Sequence, residues 1–515
     1  MYILNKAETA RLEEETVAAG TPHIKLMEVA GGTVAKFVVE KLGVAGKSVA
    51  VVCGRGNNGG DGFACARKLA EGGATVRIIL ADGQPATDDA IDLLGRCERA
   101  EINCVSYFAD DEDEQEEALW SIEKADIVID AIFGLGFHGD PDEHMAQLIE
   151  CVNLSEATVV AVDIPSGVAA DTGAVSKSCV KADYTVTFTT MKPGHVVYPG
   201  VGFCGSVFTS PIGIDEEMIS ALKPTADLID YHSVKICFRE RNPNTSKSDY
   251  GTLLIIAGSL GMAGAAVFAG KAAASSGVGL VRMVLPKSIY QIVAGSLHDP
   301  VYIPLGGPSD PTLNRAGAGK SADQLEQATA CLIGCGMGKN EDTRTVLHEV
   351  LATGELPFIL DADAINLVAD DKEILKLAKG PVILTPHPGE MGRLVNLTAA
   401  EVQSNRLETA VTFAREHGVY VVLKGANTIC AMPDGKAHVN LTGNPGMSKG
   451  GTGDILAGLI GSLLAQGLSP EDACTCGVYI HGAAGDKAVQ RFSQRGVTPT
   501  DIINELPGIF LEIER

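Results

Sequence analysis

Basic residues are scarce in this chain. Lys and Arg number 41 against 65 Asp and Glu over 515 residues, a formal charge of -24. Such a surface repels phosphate backbones and anionic lipid, which excludes general nucleic-acid binding and adhesion to anionic membranes. Charged residues of both signs reach only 21% and hydrophobic ones 45%. That balance excludes a disordered chain and leaves room for about two to four domains with substantial cores. The 13 cysteines lack the dense spacing of a disulfide scaffold, and the pairs Cys331/Cys335 and Cys474/Cys476 lack the neighbouring ligands of a zinc site. Reduced, mostly buried thiols are expected. No apolar run reaches membrane length, and Met1 to Glu15 is charged, without the apolar core of a signal peptide. The expectation is a soluble cytoplasmic protein whose anionic ligands find helix N-termini, single lysines or bound cations. The acidic run Asp110 to Glu117 reads as a solvated helix start without function.

What the chain does have is alternation. Apolar, β-branched runs at Ser48 to Val52, Val76 to Leu80, Ile127 to Ile129, Val159 to Val162 and Tyr184 to Phe188 are separated by helical patterns. This predicts a Rossmann-like doubly wound parallel sheet, in which ligands bind beyond the strand C-termini. From Ile214 to Tyr250 the pattern weakens into polar, proline-bearing sequence, and a boundary near residue 225 follows. The alternation then resumes, with strands expected at Leu253 to Ala257, Leu280 to Leu285, Cys331 to Gly334, Phe358 to Asp361, Val382 to Thr385 and Tyr420 to Lys424. Two fused α/β domains are expected, residues 1–224 and 225–515, each with its own ligand site.

The sharpest motif is Asn444 to Asp454, Asn-Pro-Gly-Met-Ser-Lys-Gly-Gly-Thr-Gly-Asp, running straight into the apolar stretch Ile455 to Leu464. A glycine turn opening a helix offers free N–H groups and the positive end of the helix dipole to a phosphate. Asp454, one residue later, is placed to face a hydroxyl approaching that phosphate, as a general base should. The plainer alternative is a glycine loop with Asp454 as a helix cap. In the first half, Gly54, Gly56 and Gly59 satisfy the dinucleotide fingerprint, and with Asp82 on the next strand an NAD dehydrogenase is an alternative. Asp61 at the helix entrance argues otherwise, because it would repel a pyrophosphate unless it capped the helix or a cation intervened. Two further clusters, Asp130 to Gly139 and Asp163 to Gly167, each follow a strand and should converge on one sheet edge. Asn58, Asp130 and Ser166 there offer hard oxygens for a cation, or serve only as turn and cap residues.

Gly56 to Gly62, Asp130 to Gly136, Asp163 to Gly167 and Met191-Lys192-Pro193-Gly194, supported by Leu26-Met27-Glu28-Val29-Ala30-Gly31, resemble the N-terminal epimerase domain of the bifunctional NAD(P)H-hydrate repair enzymes. The family's bacterial pattern usually has Asn where Val29 stands. The resemblance implies substrate phosphate binding by Asn57, Asn58, Gly59, Gly60 and Asp61, and by Gly134, Leu135, Gly136, Phe137, His138, Gly139 and Asp140. It implies potassium held through Asn58, Asp130 and Ser166, with Asp163 as acid/base and substrate contact. The reaction would interconvert the R and S forms of hydrated NADH or NADPH (NADHX and NADPHX).

The second half resembles the dehydratase domain of the same enzymes, a branch of the ribokinase-like kinases. The motifs are Gly258-Ser259 with Met262-Ala263-Gly264-Ala265, Gly334-Cys335-Gly336-Met337-Gly338, Asp361-Ala362-Asp363-Ala364, Thr385-Pro386-His387-Pro388-Gly389-Glu390, Lys424 to Thr428 and the Asn444 cradle. By that resemblance Lys424, Gly425, Ala426, Asn427, Thr428, Asn444, Pro445, Gly446, Met447, Ser448, Lys449, Gly450, Gly451, Thr452 and Gly453 contact ADP or ATP. Ala265, Gly338, His387 and Asp454 contact the hydrated cofactor, with magnesium as charge neutraliser. Phosphorylation would turn a poorly leaving hydroxide into a good leaving group, and Asp454 would take the hydroxyl proton. Two rivals stand beside this reading: a ribokinase-like vitamin kinase that releases its phosphorylated product, and a front half that is only a catalytically silent binding module. A homo-oligomer is expected.

Overall fold

Seven strands of the first half pair side by side because nearly every residue along the central ones is apolar and buried, as a parallel sheet covered on both faces requires. The computed structural model describes residues 1–108, 112–222 and 224–515. The chain divides into two compact units, Tyr2–Ala226 and, with Met1, Asp227–Arg515.

In the first unit the strands are β1 (Ser48–Cys53), β2 (Thr75–Leu80), β3 (Asn103–Ser106), β4 (Ile127–Ala131), β5 (Thr158–Val162), β6 (Tyr184–Phe188) and β7 (Ser206–Ser210). Their order is β3-β2-β1-β4-β5-β6-β7, all parallel. The order reverses between β1 and β4, so the loops leaving those two strands flank a crevice at the carboxyl edge. Two apolar layers, one on each face, are centred on residues such as Val51, Ile129 and Phe63 on one side and Val52, Val128 and Leu148 on the other. β3 and β7 were not expected; they are short edge strands, and β7 in particular has no buried residue, so its pattern is weak. Helix Glu112–Glu123 carries most of the acidic run, whose residues 110 and 111 lie outside the described residues. It also bears the single tryptophan, Trp120, 55% exposed, with the Arg77 guanidinium 5.8 Å from the ring centroid.

In the second unit the strands are β8 (Thr252–Ile256), β9 (Leu280–Pro286), β10 (Val301–Leu305), β11 (Ala330–Ile333), β12 (Phe358–Leu360), β13 (Val382–Leu384), β14 (Tyr420–Leu423), β15 (Ile429–Ala431) and β16 (Ala437–Asn440). They run in the order β16-β15-β14-β13-β12-β11-β8-β9-β10, and strand Ala226–Ile229 continues the sheet beyond β16. β8 to β14 pair in parallel, while β14 with β15 and β15 with β16 pair antiparallel. Helix Thr452–Ala465 is buried from Ile455 through Ala465 and crosses helix Ala263–Ala274 at Gly458, where a Cβ would stand 2.2 Å from the Ala269 carbonyl oxygen. Backbones that close tolerate no side chain at 458. All 13 cysteines are free, and ten of them are buried. Among the described residues no helix is long and apolar enough to cross a membrane.

Candidate active sites

In the first unit the loops after β1, β4, β5 and β6 meet at the carboxyl edge. The helix after β1 begins at Asn57, ahead of Asp61, with Gly56 as its N-cap. Asn57 is exposed, while Asn58, Gly59 and Gly60 form a buried first turn. The glycines are there for close approach: a Cβ on Gly59 would lie 1.9 Å from the Gly54 carbonyl oxygen, and one on Gly60 2.4 Å from the Met27 sulfur. Both therefore have a packing reason in addition to any ligand contact.

Asn58, Asp130 and Ser166 are brought together and all three are buried. Asp130 ends β4 inside the strand. Its carboxylate accepts the Ser166 hydroxyl at 2.6 Å, the Ser166 amide at 2.8 Å and the Ile132 amide at 3.3 Å. Asn58 Nδ2 donates to the Phe133 carbonyl at 3.0 Å, and the Phe133 amide donates to Ser166 Oγ at 2.9 Å. Burial pushes the Asp130 carboxyl up to about 6 despite those hydrogen bonds. A fully buried carboxylate among amide, hydroxyl and carbonyl oxygens is the donor set of a weakly hydrated cation, so the residues present fit potassium. The 134–140 loop is divided. Gly134 touches Asn58 and Leu135 packs with Ile164, whereas Gly136, His138, Gly139 and Asp140 are exposed. Phe137 stacks on Phe133 with centroids 4.7 Å apart, and the Asp140 carboxylate is committed to Lys177, accepting its amide at 2.9 Å and pairing with its ammonium at 3.0 Å.

Asp163 follows β5 in a left-handed conformation, φ 63°, a costly backbone state for a residue with a side chain. Its Oδ1 accepts from Lys192 Nζ at 2.6 Å and Thr187 Oγ1 at 2.8 Å, and Lys192 is 1% exposed. Burial alone would raise the Asp163 carboxyl, but the Lys192 ammonium overrides it and holds the carboxyl below its ordinary value. Lys192 is thus the counter-ion of Asp163. His195 receives the Lys192 amide on Nδ1 at 2.9 Å, so Nε2 carries the proton donated to the Asp163 carbonyl at 2.8 Å. Burial, then Lys192, pushes this imidazole down to about 4. It is neutral and orients the Asp163 backbone. Asp61 is the surprise: burial, with Asp163 and Glu13 beside it, raises its carboxyl well above the ordinary range. That shift favours the protonated carboxyl and so eases the expected repulsion of a phosphate.

In the second unit the site again lies at the ends of adjacent parallel strands: Gly334 to Gly338 after β11, Asp361 after β12, Thr385 after β13 and Lys424 after β14. Asp361 Oδ1 accepts from Thr385 Oγ1 at 2.6 Å and from Lys424 Nζ at 2.8 Å. The Cys335 sulfur and carboxylate oxygens of Asp361 and Asp454 all lie within 4.8 Å of one another. Burial, then Asp361, pushes Asp454 up to about 7, with Lys424 opposing. Burial and the two aspartates hold the Cys335 thiol protonated. The Asp361 carboxylate, which ends in the same pocket, fits a hard cation that takes its remaining ligands from phosphate and water, as magnesium does. The Lys424 ammonium, expected at the nucleotide, sits on Asp361, with Glu390 at 3.8 Å. Asp361 lay within a recognised motif but had no side-chain role there.

His387 is exposed and caps helix Pro388–Val395, its Nδ1 accepting the Gly389 amide at 3.0 Å while Glu390 accepts the His387 amide at 2.8 Å. Capping occupies one ring nitrogen and leaves Nε2 to other partners. Ala265 is buried against Gly336, and the Gly338 amide donates to Asp363 at 2.8 Å. The turn 424–428 is held from beneath by Arg406, 1% exposed, which donates to the carbonyls of Ala426 at 2.6 Å, Leu423 at 3.2 Å and Lys424 at 3.4 Å. Within that turn Gly425 has φ 146° and Asn427 φ 55°, and Thr428 Oγ1 donates to the Gly425 carbonyl at 3.0 Å. Sequence reasoning had no signal for Arg406, because burial of an arginine without a carboxylate breaks the usual composition rule.

The segment Asn444 to Asp454 forms a turn that opens a helix. Asn444 receives the Gly446 amide at 3.0 Å and donates to Asp486 at 2.8 Å, and Pro445–Met447 forms a 3-10 turn. Ser448 and Gly450 are exposed. The Lys449 ammonium turns away to the Arg495 and Val497 carbonyls, the former at 2.9 Å. Gly451 caps helix Thr452–Ala465 at φ 101°, Thr452 Oγ1 donates back to the Lys449 carbonyl at 2.8 Å, Gly453 adjoins the Lys424 ammonium and Asp454 lies in the first turn.

Residues 253–508 match a family model described as NAD(P)H-hydrate dehydratase, and residues 23–194 one described as YjeF-related protein N-terminus. A bifunctional NAD(P)H-hydrate repair enzyme Nnr of Moorella thermoacetica is 36% identical over 100% of this chain and 97% of its own. The chain belongs to the bifunctional NAD(P)H-hydrate repair enzymes. The Escherichia coli repair enzyme is 35% identical over 89% of this chain and 84% of its own. A ribokinase-like superfamily protein of Enterococcus faecalis superposes with a TM-score of 0.50 at 26% identity, over 56% of this chain and 98% of its own. The fold is two fused α/β units, the second ribokinase-like, and the family's activities are those of an NAD(P)HX epimerase and an NAD(P)HX dehydratase.

Proposed function

We propose that residues 1–224 interconvert R- and S-NAD(P)HX and that residues 225–515 dehydrate the S form to NAD(P)H with ADP or ATP as phosphoryl donor. The observation that carries the reading is the pair of carboxylates at opposite settings: Asp163 held ionised by Lys192, and Asp454 poised at about 7. A base that must accept an alcohol's proton during phosphoryl transfer works best near the operating pH, which is where Asp454 sits. The amides of Gly450 to Gly453 and the Lys424 ammonium would stabilise charge on the phosphoryl group, and the ring nitrogen then expels phosphate. Magnesium held at Asp361 would neutralise nucleotide phosphate charge, and potassium among Asn58, Asp130 and Ser166 would place a fixed positive charge beside the front-site substrate. Asp163 stays charged and oriented, able to take a proton from the substrate hydroxyl.

The test is the return of NADH absorbance from a mixture of both NADHX epimers, with magnesium, potassium and either ADP or ATP. Recovery from both epimers is expected, and the nucleotide that supports it is the donor. Recovery of the S form alone would leave the front unit silent. A stable phosphorylated product in place of NADH would sink the dehydratase assignment in favour of a kinase.

A further inference from the structure

Among the described residues, every hydrogen bond to Asp163 comes from one stretch of chain, residues 186–195. The Asp163 amide donates to the Val186 carbonyl at 2.9 Å, and its carbonyl accepts from His195 Nε2 at 2.8 Å. On the side chain, Oδ1 takes the Lys192 ammonium at 2.6 Å, the Thr187 hydroxyl at 2.8 Å and the Phe188 amide at 3.4 Å. The stretch is also tied to itself. Lys192 Nζ donates to Thr187 Oγ1 at 2.9 Å and to the Phe188 carbonyl at 3.1 Å, and the Lys192 amide donates to His195 Nδ1 at 2.9 Å. With the Asp163 contact, all three ammonium protons are in use, so Lys192 has none for a substrate. Three donors likewise fill Oδ1, while among the described residues no hydrogen bond reaches Oδ2. Thr187 and His195 are buried and the Lys192 side chain is 1% exposed, whereas the Asp163 side chain keeps 10%. The exposure that remains belongs to the carboxylate and not to the groups that hold it. Its left-handed backbone, φ 63°, is of the kind that persists only where the surroundings over-determine it.

We propose that Asp163 Oδ2 is the oxygen that moves the substrate proton, and that Thr187 and His195 are positioning residues that aim it, Thr187 by pinning Oδ1 and His195 by holding the carbonyl. This rests on the reading of the front unit as an epimerase. A free Asp side chain turns about two bonds and can offer either oxygen. With Oδ1 held by three donors and the backbone locked, it offers one oxygen in one place. One is enough for the chemistry. Oδ2 takes the proton of the hydroxyl on the ring carbon next to nitrogen, and the O–H pair becomes the second bond of an aldehyde. The carbon–nitrogen bond breaks and its pair passes to nitrogen, where the conjugated carboxamide spreads the charge. The aldehyde turns about its bond to the ring methylene carbon and nitrogen attacks the other face. Oδ2 then returns the proton to the oxygen, leaving Asp163 ionised as at the start.

The experiment measures kcat and KM for interconversion of R- and S-NADHX, by chromatographic resolution without nucleotide. Wild-type protein that does not interconvert the epimers would overturn the epimerase reading itself. Given interconversion, Thr187→Val, which keeps the shape and loses the hydroxyl, is expected to lose at least about 10-fold in kcat at unchanged KM. Thr187→Ser, which keeps the hydroxyl, should recover the rate. The lost donor also makes Asp163 easier to protonate, so the acid limb of the kcat profile should move to higher pH in Thr187→Val and stay in place in Thr187→Ser. The other charges facing Asp163, on Lys192, Asp61 and Glu13, are the same in both variants. His195→Leu should lower kcat in the same way. His195→Gln, whose amide can accept from the Lys192 N–H and donate to the Asp163 carbonyl, should recover it. A Thr187 that only packs would lower the melting temperature and leave the acid limb alone. A Thr187→Val kcat within about 10-fold of wild type, a loss borne by KM, an unmoved acid limb, equal losses in Thr187→Val and Thr187→Ser, or an unchanged kcat in His195→Leu would each overturn the proposal.

Discussion

Asp454 and Asp163 are the same side chain set to opposite ends of the carboxyl range by what stands beside them. For Asp454 burial and the Asp361 charge favour the proton, and Lys424 only partly offsets them. Dehydration should therefore rise with pH through about 7 and level off above it, as the base loses its proton. In Lys424→Met the opposing ammonium is gone, so that rise should move to higher pH; an unchanged profile would detach Lys424 from the base. Asp163 carries a different prediction. Its neutralising partner is buried, and Lys192→Met strands a carboxylate at a cost of about 3–5 kcal/mol, readable as a fall in the denaturant midpoint of the first unit. Because the folded carboxyl is depressed, the pair's contribution is present above the unfolded value of about 3.9 and is lost as pH falls through the folded one. At this scale the sequence singled out candidate carboxylates and was silent on their settings. Asp163, Asp454, Asn58, Asp130 and Ser166 could be picked out because each follows a strand or opens a helix. Glu13 and Arg406 could not, since each reaches its place through a helix with no motif of its own.

The elements that carry these residues are strand ends and helix starts, and their glycines are where a substitution would tell most. Gly451 caps the cradle helix at φ 101°, and a Cβ there would come within 2.7 Å of the Phe268 ring. Gly451→Ala should cost about 1–2 kcal/mol for the left-handed backbone alone, with added loss from the ring contact. It should also raise the KM for nucleotide more than for NADHX, because it tilts the amides of the cradle. The central strands were legible because they are short, wholly apolar runs, the mark of a sheet covered on both faces. β10, β15 and β16 were not. β10 is a half-exposed edge containing Pro304, while Ile429–Ala431 and Ala437–Asn440 flank a short connection that sequence alone blends into loop. The helix at Asn57 was placed too late for the opposite reason: its first turn is two asparagines and two glycines, poor helix formers that tertiary packing against Gly54 and Met27 overrides.

Across the whole chain each unit holds a complete set of candidate groups at its own carboxyl edge, so their activities should be separable by single substitutions. Asp163→Asn should leave S-NADHX dehydration intact while R-NADHX accumulates, and Asp454→Asn should leave epimerisation intact while no NADH returns. Potassium should act on one unit only. Asp130 is raised to about 6, so the stability it allows is fully present below its unfolded value of about 3.9 and is lost as pH rises through the folded one. A cation beside it removes that loss. Added potassium should therefore raise the melting temperature of the first unit more at pH 7 than at pH 5, and Asp130→Asn should abolish the difference. The lone tryptophan makes such a measurement simple. Trp120 stands in the first unit, so emission excited at the indole band is a built-in label for that half of the chain, and calorimetry of the same sample supplies the other half by subtraction.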